Sequence, residues 1–115
     1  MIRASALAPQ PTQRIPFQRR HLARVPANSG CYVLSTFDET VVYIGKAQDL
    51  RRRVGTHLGD RSKREVSDRG VAVWLDFRLT AVAELGQLES AWVEQYKLEE
   101  GGRLPPFNEI NPPAL

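Results

Sequence analysis

GCYVLSTFDETVVYIGKAQDLRRRVGTHL, residues 30–58, holds the decisive pattern of the chain. Cys31-Tyr32-Val33-Leu34 and Val41-Val42-Tyr43-Ile44 are runs of β-branched and aromatic residues. The six residues between them, Ser35 to Thr40, are mostly polar. Together they predict an antiparallel hairpin with a longer loop. Gly45 closes the second strand. Residues 47–58 then read as a helix, because Leu50, Val54 and Leu58 recur at i, i+4 and i+8 on one face.

Working outward, Gly59 to Gly70 reads as a charged loop. Residues 71–79 alternate, with Val71, Val73, Leu75, Phe77 and Leu79 to one side, and predict a further strand. Trp74, on the minority face of that strand, and Trp92 read as core residues. Thr80 is placed to cap a long helix over residues 81–100, and Gly101-Gly102 to end it. Pro105-Pro106-Phe107-Asn108 and Pro112-Pro113 suggest an extended tail. The order strand, strand, helix, strand, helix predicts an α/β (α+β) fold. Its centre is a small three-stranded, largely antiparallel sheet covered by helices.

Upstream, residues 1–16 contain Pro9, Pro11 and Pro16 and no acid. They read as a flexible basic arm, leaving residues 17–115 as the domain. An acid-free, arginine-bearing start also fits an organellar transit peptide, although serine is sparse and the prolines interrupt any amphipathic helix.

A chain of 115 residues implies one domain. No run approaches the roughly 20 apolar residues of a membrane span. A single cysteine excludes an internal disulfide and fits a reducing, cytoplasmic setting. Cys31, His21 and His57 are too few and too dispersed for a structural zinc site. Net charge is +3, unevenly spread. Arg3, Arg14, Arg19, Arg20 and Arg24 all precede the first acid, Asp38. A second basic cluster comprises Lys46, Arg51, Arg52, Arg53, Arg61, Lys63 and Arg64. Such clusters attract phosphate backbones, and the bland alternative is a solvated basic face.

The second helix carries a further clue. With about 100° per residue and Leu85 at zero, Leu88, Trp92, Tyr96, Val82 and Val93 form one apolar stripe, and Glu89 falls within it at about +40°. A carboxylate there needs a partner, because burying it unpaired costs several kcal/mol. A structural Arg or Lys and a metal ion both answer that need.

Taken in order, Gly30-Cys31-Tyr32, Tyr43-Ile44-Gly45, Lys46, the Asp49 to Arg53 run, His57, Glu89 and Asn108 resemble the GIY-YIG nuclease family. The resemblance covers residues 30 to 108. In that family two strand tyrosines face a common groove, and Tyr32 and Tyr43 match them. The family arginine, within an Asp-Leu-x-x-Arg run, matches Arg53. The His or Tyr one helical turn later matches His57. The lysine after Tyr-x-Gly, seen in the excision-repair branch, matches Lys46. The metal-binding glutamate matches Glu89, and the closing asparagine of Pro-x-(Tyr/Phe)-Asn matches Asn108. Cys31 stands where Ile or Val is usual. The stretch between Glu89 and Asn108 is longer than in the repair nucleases.

The resemblance implies a single Mg²⁺ or Mn²⁺ on Glu89, a bidentate phosphate grip by Arg53 and a tyrosine acting on the attacking water. Arg51, Arg52, Arg61, Lys63 and Arg64 are then expected to bind nucleic acid. The implied function is metal-dependent endonuclease activity, with DNA as the expected substrate. The rival is a catalytically silent nucleic-acid-binding module. A domain this small leaves specificity to loops, to a homodimer or to a larger nuclease assembly.

Overall fold

The computed structural model describes residues 1–63, 66–67 and 69–109, except the side chains of Ser62 and Glu109. The predicted hairpin forms from β2 (Gly30–Ser35) and β3 (Val41–Ala47), paired antiparallel with Tyr32 opposite Gly45. Its loop is closed by bonds between Thr36 and Thr40, with Glu39 at a positive φ of 72°. β4 (Trp74–Leu79) lies on the other side of β2, with Tyr32 opposite Phe77. Gly30 is needed here. A Cβ at that position would meet the Arg78 carbonyl oxygen at 2.6 Å and Leu50 Cδ1 at 2.9 Å.

The sheet has four strands, not three. β1 (Gln13–Pro16) pairs antiparallel with β4, giving the order β1-β4-β2-β3. This strand comes from the segment expected to be an unpacked arm. Ile2, Ala4 and Leu7 of the same segment are buried. Val41 N–H donates to the Ile2 carbonyl, Trp92 Nε1 donates to the Pro9 carbonyl, and Gln95 and Ala8 exchange two hydrogen bonds. Arg14 of β1 grips Asp76 of β4 through Nε–Oδ1 at 2.7 Å and a second nitrogen on Oδ2 at 2.9 Å. The Asp76 side chain is only 5% exposed, so this pair neutralises a charge that burial would otherwise penalise. Pro16 is tolerated because β1 is an edge strand that needs few ladder donors.

Strand alternation divides the core in two. Tyr32, Leu34, Tyr43, Leu75 and Phe77 face α1 (Leu50–Leu58), and Leu50, Val54 and Leu58 pack among them. Cys31, Val33 and Ile44 face α2 (Leu85–Glu99), whose Leu85, Leu88, Trp92 and Tyr96 meet Ile2, Ala4 and Leu7. α2 starts later than expected, after a 3-10 turn at Val82–Glu84. Thr80 does not cap it, its hydroxyl being bound to the Arg78 carbonyl. Gly101 and Gly102 end α2 at φ values of 66° and 88°, where a side chain would be strained. The tail is not wholly extended: Pro106–Glu109 forms one helical turn, α3, and buries Phe107. No described helix is long and apolar enough to cross a membrane.

Candidate active site

α1 sorts its residues by angle. Asp49 caps the helix, its carboxylate accepting from Arg52 N–H at 3.0 Å. Leu50, Val54, His57 and Leu58 turn inward. Arg52, Arg53 and Thr56 turn outward and, with Lys46, Gln48, Asp49, Val82, Leu85 and Gly86, line a groove of about 700 Å³. The groove therefore runs between α1, the end of β3 and the start of α2. The Arg53 side chain is exposed, and its guanidinium makes no hydrogen bond or ion pair with the described residues.

Beneath α1 sit the two tyrosines. The Tyr32 hydroxyl lies 2.5 Å from His57 Nε2. Ring centroids are 5.9 Å apart for Tyr32–Tyr43, 5.6 Å for Tyr32–His57 and 4.9 Å for Tyr43–His57. Gly45 makes room for this cluster. A Cβ there would fall 2.7 Å from Tyr32 Cζ and Oη and 2.8 Å from Tyr43 Cε1. Burial pushes both phenols above their ordinary range. Burial, reinforced by Lys63 and Arg53, lowers His57 to about 4. A neutral imidazole results, and in its Nδ1–H tautomer Nε2 can accept the Tyr32 proton.

Glu89 stands less buried than its place on the stripe suggested. Its side chain is 27% exposed, and Lys46 Nζ lies 3.7 Å from Oε1. The reason is where the stripe is centred. Leu85, Leu88, Trp92 and Tyr96 are the buried positions, whereas Val82 is exposed and Val93 half-buried. Glu89 lies on the Val82–Val93 side of the stripe, at the rim beside the end of β3. Lys46 is thus in place as one of the two kinds of partner named above.

Three expected roles meet a different geometry. Asn108 has both amide groups engaged with one residue of the β3 edge: Oδ1 accepts from Ile44 N–H at 3.0 Å and Nδ2 donates to the Ile44 carbonyl at 2.9 Å. It braces the strand next to Tyr43. Arg51 is spent on backbone, donating to the Val25 carbonyl at 2.7 Å and weakly to that of Ala23. Lys63 is 2% exposed; its ammonium sits 5.1 Å from the Tyr43 ring centroid and 3.6 Å from Asp60. A buried cation over an aromatic face is part of the tyrosine cluster and not an open phosphate contact. Nothing in the charged loop's pattern distinguished it from Arg61, which is exposed. Arg64 lies outside the described residues.

A basic groove against a paired-tyrosine hairpin, with Glu89 of the covering helix beside Lys46, is the arrangement of a GIY-YIG domain. Residues 28–98 match the model of the UvrC-like GIY-YIG domain, and the chain belongs to that family. UvrABC system protein C of Synechococcus sp. (strain CC9605) is 38% identical over 66 residues, which make up 57% of this chain and 10% of that protein. The Finegoldia magna protein of the same name is 41% identical over 46 residues, 40% of this chain and 7% of that one. The chain thus spans a tenth or less of the length of these relatives. Among solved structures, the GIY-YIG N-terminal endonuclease domain of UvrC from Thermotoga maritima, a tyrosine point mutant bound to its catalytic divalent cation, superposes with a TM-score of 0.56. That match is 19% identical and covers 78% of this chain and 92% of that one, a likeness of fold.

Proposed function

We propose that this chain is a metal-dependent endonuclease that hydrolyses phosphodiester bonds, with DNA as its substrate. The observation that carries this reading is the meeting of four kinds of group at one end of the sheet. These are an open guanidinium (Arg53), an ammonium (Lys46), a carboxylate (Glu89) and a hydrogen-bonded phenol–imidazole pair (Tyr32 and His57).

Glu89 suits a single Mg²⁺ or Mn²⁺. Its carboxylate is partly open to solvent and held only by a 3.7 Å ion pair. Among the described residues no cluster of three His, Cys, Asp or Glu side chains competes for a metal. One carboxylate with water completing the shell is a common Mg²⁺ arrangement. When bound, such an ion polarises the phosphate and stabilises the leaving 3′ oxygen.

The remaining work falls to the chain itself. Arg53 presents a planar fork that matches two non-bridging phosphate oxygens. Lys46, half exposed, can turn from Glu89 to the phosphate. Tyr32 has an outlet for its proton. As its oxygen takes a proton from the attacking water, it passes its own to His57 Nε2, and no phenolate need persist in a site that disfavours one. An arriving phosphate raises the proton affinity of His57, because opposite charge favours the imidazolium. Tyr43, fixed by Lys63 and by the Asn108 brace on its neighbour Ile44, packs against the phenol–imidazole pair.

The Lys46–Glu89 pair also favours the rival reading, a silent nucleic-acid-binding module in which that pair is purely structural. Incubation of the pure protein with end-labelled single- and double-stranded DNA and RNA, in Mn²⁺ and in EDTA, separates them. Mn²⁺-dependent fragments support the nuclease; retarded but intact probes in Mn²⁺ support the silent module.

A further inference from the structure

The positive surface does not stop at the groove. α1 lies against the 3-10 turn at Arg19–Arg24, and the two run in opposite directions. Three contacts set their register. At the start of α1, Arg51 bonds the carbonyls of Val25 and Ala23. In the middle, Leu22 Cδ2 lies 3.4 Å from the position a Cβ would take at Gly55. At the end, a guanidinium nitrogen of Arg19 lies 3.9 Å from the same position at Gly59. Leu22 makes the apolar contact. Arg19, Arg20 and Arg24 remain exposed.

None of these three arginines has an acidic partner among the described residues. Arg20 bonds the Gln18 amide at 3.0 Å and Arg24 approaches His21 Nδ1 at 3.1 Å, so both keep their full charge. Their charge is also continuous with the groove. With Arg51 at zero, Gly55 and Gly59 lie at about 40° and 80°, on the flank that faces the turn. Thr56 and Arg53, which line the groove, lie at about 140° and 200°. Arg52 falls between them at about 100° and joins the two flanks. A basic band therefore runs from Arg24, Arg20 and Arg19 across Arg52 to Arg53 and Lys46. The turn lies outside the residues that match the family model.

We propose that this band is one phosphate-binding surface, in which Arg19, Arg20 and Arg24 hold backbone phosphates of a nucleic acid that extends past the groove across α1. The inference rests on the nucleic-acid reading of the groove, and it adds a second, sequence-independent anchor outside the reacting site. Such contacts act through counterion release, which makes them countable.

The test is binding in EDTA, where no cleavage intervenes, followed by fluorescence anisotropy of labelled DNA, duplex and single-stranded, across a salt series. The triple variant Arg19→Gln/Arg20→Gln/Arg24→Gln should reduce the slope of log K against log salt on duplex by about 2–3, close to one per lost phosphate contact. Affinity at low salt should fall about tenfold or more. The double variant Arg20→Gln/Arg24→Gln, which spares the Arg19 contact with α1, should give about two thirds of that change in slope. Arg3→Gln serves as control, since Arg3 bridges to Thr40 at the opposite end of the hairpin, and should leave both quantities unchanged. A wild-type slope and affinity in the triple variant, with wild-type protein binding both probes, overturns the band while leaving the groove reading intact. Failure of the wild-type protein to bind any probe overturns both.

Discussion

The Tyr32 hydroxyl and His57 Nε2 stand 2.5 Å apart in a buried pocket that keeps the imidazole neutral. This contact links stability to pH. His57 titrates at an ordinary 6.5 when unfolded and at about 4 in the fold. Between those values the unfolded chain binds the extra proton, so stability rises with pH. The contribution is complete above pH 6.5 and is lost as pH falls toward 4, by about 3 kcal/mol in all. Denaturant unfolding of His57→Phe between about pH 5 and 7 should show a flatter dependence than wild type. Identical slopes in the two proteins would mean that His57 is not buried neutral.

Neighbouring arginines should behave differently. Arg53→Ala should lower turnover by about a hundredfold or more with stability little changed, as removal of a transition-state donor does. Arg51→Ala should instead destabilise by about 1–2 kcal/mol, because the carbonyls of Val25 and Ala23 lose their donor. Single-turnover kinetics and denaturant unfolding of each variant check this. Equal losses of turnover at both positions would indicate a generic basic face.

Leu7 is 2% exposed and packs with Trp92 and Tyr96 in the layer beneath α2. Leu7→Ala should therefore cost about 2–5 kcal/mol, the range for emptying a core site. An unfolding free energy within about 0.5 kcal/mol of wild type would show that the first residues do not belong to the core.

The hairpin, both main helices and the strand after the charged loop were legible because each carries a full period of apolar residues. Leu50, Val54 and Leu58 mark the inner face of α1, and Leu75 and Phe77 that of β4. β1 was not legible. Gln13–Pro16 has one inward apolar residue and a proline, and its hold on β4 depends on Arg14 finding Asp76, 62 residues away. The prolines before it marked a mobile arm only because the apolar residues among them, Ile2 and Leu7, have no period. Within the site, it was the family resemblance that pointed to Tyr32, His57, Arg53, Lys46 and Glu89 as a group. Which cations are open was not readable. Arg51, Arg52 and Arg53 are identical in type, and only the packing of the Arg19–Arg24 turn diverts the first of them. Lys63 likewise looked like Arg61 until the loop folded it over Tyr43.

Cleavage and binding by Glu89→Gln, measured side by side, test most directly whether this fold is a working nuclease. The substitution keeps the shape of the side chain, removes the charge a divalent ion needs and breaks the ion pair with Lys46. Expected are loss of Mn²⁺-dependent DNA cleavage to the level seen in EDTA, and affinity for DNA in EDTA equal to or slightly above that of wild type, since Lys46 is freed. Cleavage by the variant at the wild-type rate, or wild-type cleavage that persists in excess EDTA, would contradict a metal-dependent reaction centred on Glu89.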